Sequence, residues 1–158
     1  ARYNKGTLTL SALSPFTVGG QQFSIESLAS GQHSRDALYS PQRVSLGGLA
    51  SVRGFKEHTL MGNSGGYWRN QLRWRRAVGW AALKPWVSDY SVALAWDVGA
   101  IARNRHRGEA HGRMSGNAIE IAAQGPRFNA SLTFARALEH PEEVKGERPV
   151  YFNVGMTY

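Results

Sequence analysis

Seven stretches of this chain alternate large apolar residues with small or polar ones at a strict period of two, and helical periodicity is scarce. Leu8, Leu10 and Ala12 oppose Thr7, Thr9 and Ser11; Phe23, Ile25 and Ala29 oppose Ser24 and Glu26. Trp68, Leu72 and Trp74 stand against Arg69, Gln71, Arg73 and Arg75. Val92, Leu94, Trp96 and Val98 stand against Ala93, Ala95, Asp97 and Gly99. Ile119 and Ile121 flank Glu120, and Ala130, Leu132 and Phe134 oppose Ser131, Thr133 and Ala135. The last stretch places Val150, Phe152, Val154, Met156 and Tyr158 on one side. Because strand side chains point alternately to opposite faces, this pattern predicts an antiparallel all-β fold whose strands each carry one apolar face. Eighteen glycines punctuate the alternation, as turns require.

Two all-β architectures satisfy that pattern: a soluble barrel or sandwich around an apolar core, and a transmembrane β-barrel facing lipid. A mean hydropathy of −0.39 and the absence of a long apolar run exclude a spanning helix but not a barrel, whose alternation averages out. Three features favour the barrel. The polar faces are small residues with isolated Arg, Asp and Glu, as in a crowded lumen, rather than the Lys/Glu mix of a solvated surface. Strands of about 9–11 residues fit a tilted crossing of the hydrocarbon layer. Aromatics (Phe16, Tyr67, Trp68, Trp80, Trp86, Tyr90, Tyr158) gather near strand ends, where interfacial girdles form. The connections also alternate: short ones near Val18-Gly-Gly20 and Gln124-Gly-Pro126, long polar ones at 33–64, 102–116 and 139–149, and an intermediate one around 77–85. Cysteine is absent, which excludes disulfides and thiolate metal sites. The net charge of +8 favours an anionic partner or surface.

The first long connection carries Ser45-Leu-Gly-Gly-Leu-Ala-Ser-Val-Arg-Gly-Phe55, followed by Met61-Gly-Asn-Ser-Gly-Gly-Tyr-Trp-Arg-Asn-Gln-Leu72. This resembles the inward-folded loop and following strand of two-partner secretion transporters, the FhaC- and ShlB-like branch of the BamA superfamily. The superfamily signature Val-Arg-Gly-Phe/Tyr is matched by Val52, Arg53, Gly54 and Phe55. A second family motif, Phe/Gly-x-Asp-x-Gly, is similar to Trp96, Asp97, Val98 and Gly99. A third is the closing strand with alternating apolar residues and a terminal aromatic, matched by Val150, Phe152, Val154, Met156 and Tyr158. The sequence departs from the family at Asn63 (usually Asp), Gln71 (usually Glu) and Trp96, which puts in doubt any loop contacts those acids make in relatives.

The resemblance implies a sixteen-stranded outer-membrane barrel preceded by two POTRA modules. Seven strands then make residues 1–158 the C-terminal portion, with the signature loop at about 33–64 and the POTRA modules outside this chain. It implies export of a large unfolded exoprotein, of haemolysin, adhesin or toxin type, from periplasm to cell surface without ATP. The implied partners are that exoprotein, outer-membrane lipid and lipopolysaccharide, and the barrel assembly machinery during biogenesis. It also implies that Arg53 meets Asp97 on the inner wall; the alternation independently puts Asp97 on the polar face. Gly54 would allow close backbone approach, and Phe55 would pack the loop tip. Arg69, Arg73 and Arg75 would form a cationic lumen wall, either easing passage of the polar chain or pairing with Glu26 or Glu120.

Two rival functions follow from the same residues. A BamA- or TamA-like insertase shares the signature, but the spacing from Met61 to Leu72 is closer to the secretion branch. A soluble basic β domain binding nucleic acid would use Trp and Tyr interleaved with Arg at 67–76. Strand parity separates those arginines from Trp68 and Trp74, whereas a stacking platform needs them on one face. No catalytic set, cofactor motif or phosphate loop is present in the sequence. His106, Glu109 and His111 are the nearest approach to a metal constellation and lie in a long loop. The basic run from Arg103 to Arg113 reads as a solvated extracellular loop or a contact for lipopolysaccharide phosphates.

Overall fold

A computed structural model of the chain describes residues 3–103 and 108–157. Seven antiparallel strands form one sheet: β1 (Lys5–Val18), β2 (Gln21–Ser34), β5 (Gly65–Ala77), β6 (Asp89–Ile101), β7 (Gly112–Gln124), β8 (Phe128–Glu139) and β9 (Val150–Met156). The seven alternating stretches each fall on one of these strands, the last as far as Met156, and the antiparallel all-β class is borne out. The first six strands of this sheet run 12–14 residues, longer than the 9–11 expected. Between β2 and β5 the chain forms a further two-stranded ribbon, β3 (Val44–Leu46) with β4 (Leu60–Gly62). The sequence shows only loop there, since two three-residue strands are too short to show a period.

Turn chemistry accounts for the tight hairpin. Gly19 and Gly20 both adopt positive φ (56° and 76°), the pairing of a two-residue turn whose twist matches its flanking strands. The β7–β8 connection (125–127) is also short, and the β5–β6 connection spans 78–88 at the same end. The long connections 35–64, 102–111 and 140–149 leave from the opposite end.

Register turns the separate alternations into continuous rows. One outer row runs Ile25, Leu72, Leu94, Ile119, Phe134, Val150, each residue the cross-strand partner of the next. Its neighbour runs Phe23, Trp74, Val92, Ile121, Leu132, Phe152, with Phe16 stacked on Phe23 at 5.6 Å. None of the described residues covers this face: Leu94, Ile119, Phe134 and Phe152 are all exposed. So large a bare apolar surface on a paired sheet is what lipid would cover, and a soluble domain would bury it.

The inner face is built from small residues: Ala95, Ala118 and Ala135 share one row, and Asp97 and Gly116 the next. The signature loop lies on this face. Leu46, Val52, Phe55 and Leu60 from the loop pack with Ile101 of β6, Met114 of β7 and Val144 of the 140–149 connection, all essentially inaccessible. The apolar core therefore sits between loop and wall, while most of the sheet's large apolar residues face outward.

Candidate functional site

Arg53 and Asp97 meet, and both are buried, with side chains 3% and 0% exposed. Arg53 Nε donates to Asp97 Oδ2 at 2.6 Å and Nη2 to Oδ1 at 2.7 Å, a two-pronged pair that a guanidinium can make and an ammonium cannot. The Arg53 backbone N–H donates to Oδ2 as well, at 3.0 Å. Nη1 donates to Gln71 Oε1 at 2.7 Å, and Nη2 reaches the Asn70 carbonyl at 3.4 Å. Asp97 thus holds the loop by main chain and side chain together. A pair this deeply buried is not evidence of net stability, but removing either charge would strand the other at a cost of about 3–5 kcal/mol.

Two glycines make the approach possible. Gly54 has φ +110°, and a Cβ there would stand 2.6 Å from the Arg136 carbonyl carbon of β8. Gly116 lies directly across from Asp97 on β7, and a Cβ there would stand 1.7 Å from the Arg53 carbonyl oxygen. The wall is also irregular at this point: Ser115 faces Glu139 while Gly116 faces Ala137, so Leu138 is an extra residue that bends β8 beside the loop tip. Gly99, in the aspartate motif, lies under Leu46 and Val52, where a Cβ would meet both at about 3 Å. Trp96 points the other way, 49% exposed on the outer face. Phe55 is fully buried in the cluster beneath the loop, and Val52 with it.

The two positions where the family's acids are missing still touch the loop. Gln71 accepts from Arg53, as above, and Asn63 Oδ1 accepts from the Leu38 N–H at 3.1 Å. An amide oxygen supplies the acceptor in each case without the charge.

The three wall arginines do not act together. Arg73 Nη2 reaches Glu120 Oε1 at 2.7 Å by lying over the small Ala93 between them in the same row, and its Nη1 donates to Ser91 at 2.8 Å. That pair joins wall to wall and does not touch the loop. Arg75 lies 3.6 Å from Asp89 near the short-turn end. Arg69 is the cross-strand neighbour of Asp97 on the other side from Gly116. In the closing strand Val150, Phe152, Val154 and Met156 all face outward, and Tyr158 lies outside the described residues, as does His106. Glu109 accepts from Arg43 Nη2 at 2.9 Å, tying the second long connection to the signature loop.

Sequence reasoning missed Gly116, Val144, Tyr151 and Glu147. Tyr151 Oη donates to the Phe55 carbonyl at 3.2 Å. Glu147, in the 140–149 connection, accepts from the backbone N–H groups of Lys56, Glu57 and His58 at 2.8–3.2 Å and pairs with His58 Nδ1. Burial alone would raise its carboxyl pKa, but these hydrogen bonds outweigh it and hold the pKa at about 2. Only Gly116 left a trace in the sequence: a glycine at an inner-face position of a strand marks close approach by something.

Residues 1–123 match the family model of haemolysin secretion/activation proteins of the ShlB/FhaC/HecB type. The chain belongs to that family. Among ShlB/FhaC/HecB relatives, the outer membrane transporter CdiB of Dickeya dadantii is 30% identical over all of this chain and 27% of its own length. The hemolysin transporter protein ShlB of Serratia marcescens is 31% identical over 92% of this chain and 23% of its own. The solved structure of CdiB from Escherichia coli superposes with a TM-score of 0.85 at 28% identity, over 98% of this chain and 27% of that one. This chain therefore spans about a quarter of the length of the relatives it matches.

Proposed function

We propose that this chain forms the C-terminal portion of an outer-membrane transport pore that exports a large unfolded exoprotein to the cell surface without ATP. The observation that carries the reading is the division of the sheet: bare apolar rows outside, and on the inside a long loop held at its tip by Arg53 and Asp97. The outer edges of β1 and β9 have no strand partner among the described residues, and unpaired strand edges in lipid cost several kcal/mol per group. Further strands of the whole transporter close the barrel, and POTRA modules ahead of it deliver the exoprotein. Lipid and lipopolysaccharide surround the closed barrel, and the barrel assembly machinery inserts it. The signature loop then lies in the path of the exported chain, and its hold on the wall sets how the path opens. The matched relatives that are named as transporters support secretion over the insertase reading.

Charge exchange tests this in the whole transporter. Arg53→Glu places two carboxylates in one buried site and is expected to reduce secretion at least tenfold. Arg53→Glu with Asp97→Arg is expected to recover part of it, short of full activity because the Arg53 main-chain bond to Asp97 and the Gln71 bond are lost. Normal secretion by both single variants, with the barrel folded, would sink the reading.

A further inference from the structure

The loop is gripped a second time, just after Phe55. Three successive backbone N–H groups, of Lys56, Glu57 and His58, converge on the carboxylate of Glu147, and the His58 ring adds a fourth contact. A turn with three N–H groups aimed at one point is an anion nest, and here the anion comes from the chain itself. The same connection supplies Val144 to the cluster under Phe55, and His140 stands edge-on to the Phe55 ring at 6.3 Å. From the adjoining strand, Tyr151 bonds the Phe55 carbonyl. Phe55 is thus flanked by two anchors: Arg53–Asp97 before it and residues 56–58 with Glu147 after it.

We infer that Glu147 is a positioning residue for the signature loop, holding its outgoing limb on the β8–β9 connection as Asp97 holds its tip on β6. The two anchors differ in access. The Asp97 carboxylate is fully buried, whereas Glu147 is 17% exposed and its His58 partner 43%. Water and salt reach the second anchor first, so the outgoing limb lets go before the tip. Loosening it also moves Val144 and His140, which couples the loop inside the barrel to a connection at the long-loop end. The functional weight of this anchor rests on the proposed role of the loop in export.

Amide hydrogen exchange in the full-length transporter, in lipid nanodiscs, separates the two ideas. With Glu147→Ala, exchange at 56–58 is expected to rise at least tenfold, with β5, β6 and β7 unchanged. Glu147→Gln, which keeps an acceptor but not the charge, should fall between, and serves alone if the alanine variant does not fold. His58→Ala should keep most of the protection, since the three main-chain donors remain. Unchanged exchange at 56–58 in Glu147→Ala, or a rise spread over the wall strands, overturns the anchor. A local rise with secretion undiminished leaves the anchor standing and instead removes the link between the loop's hold and export.

Discussion

At Gly116 a single hydrogen atom decides whether the loop tip can seat. The Arg53 carbonyl lies 1.7 Å from where a Cβ would be, closer than any relaxation of a side chain can accommodate, since both partners there are backbone. Gly116→Ala is therefore expected to push Arg53 off Asp97 and cut secretion about as far as Arg53→Glu does, while heat-modifiable gel mobility shows a folded barrel. Full secretion by the alanine variant would mean that the tip does not rest on β7. Arg53 and Asp97 were legible in advance: one lies in a motif, and the other sits at the polar parity of a regular strand. Gly116 and Glu147 were not. Each matters only through a partner sixty or more residues away, and no local period records such a partner.

The loop behaves as an element with its own small core and its own anchors, and the Glu147 anchor titrates. The carboxyl of Glu147 falls from an ordinary 4.5 to about 2 in the folded chain. A depressed acid stabilises the state that binds its anion at every pH above the unfolded value. The outgoing limb should accordingly be fully held at neutral pH and down to about 4.5, then released as pH falls through about 2. A nitroxide attached at Glu57→Cys reads this directly: its spectrum should stay immobile to about pH 4.5 and sharpen progressively below it as the pH falls through about 2. Mobility gained between pH 7 and 5 would show that another group governs the limb. The β3–β4 ribbon inside the loop was invisible beforehand because three-residue strands owe their existence to each other and to the wall, not to propensity.

Across the whole sheet, the decisive property is which face meets which medium. Ile119 lies midway along β7 in the first apolar row and is 48% exposed. In water an exposed Ile→Lys change is close to neutral; in the middle of a bilayer it costs about 2–4 kcal/mol. Ile119→Lys in the full-length transporter is expected to lower stability by that amount in urea unfolding from lipid vesicles, and an unaltered midpoint would place this face elsewhere than in lipid. The seven strands of the main sheet, the apolar parity of each and the glycine hairpin could all be read from residues in line, because a pleated strand and a tight turn are short-range objects. The rows that join those strands into one lipid-facing surface came from register, which the closing of neighbouring turns and bulges sets. The seating of the loop came from packing: Phe55 in its pocket, two backbones passing at glycines, and a carboxylate from the last connection meeting three N–H groups. Contacts of that kind exist only after the chain has folded back on itself, so only the tertiary structure could specify them.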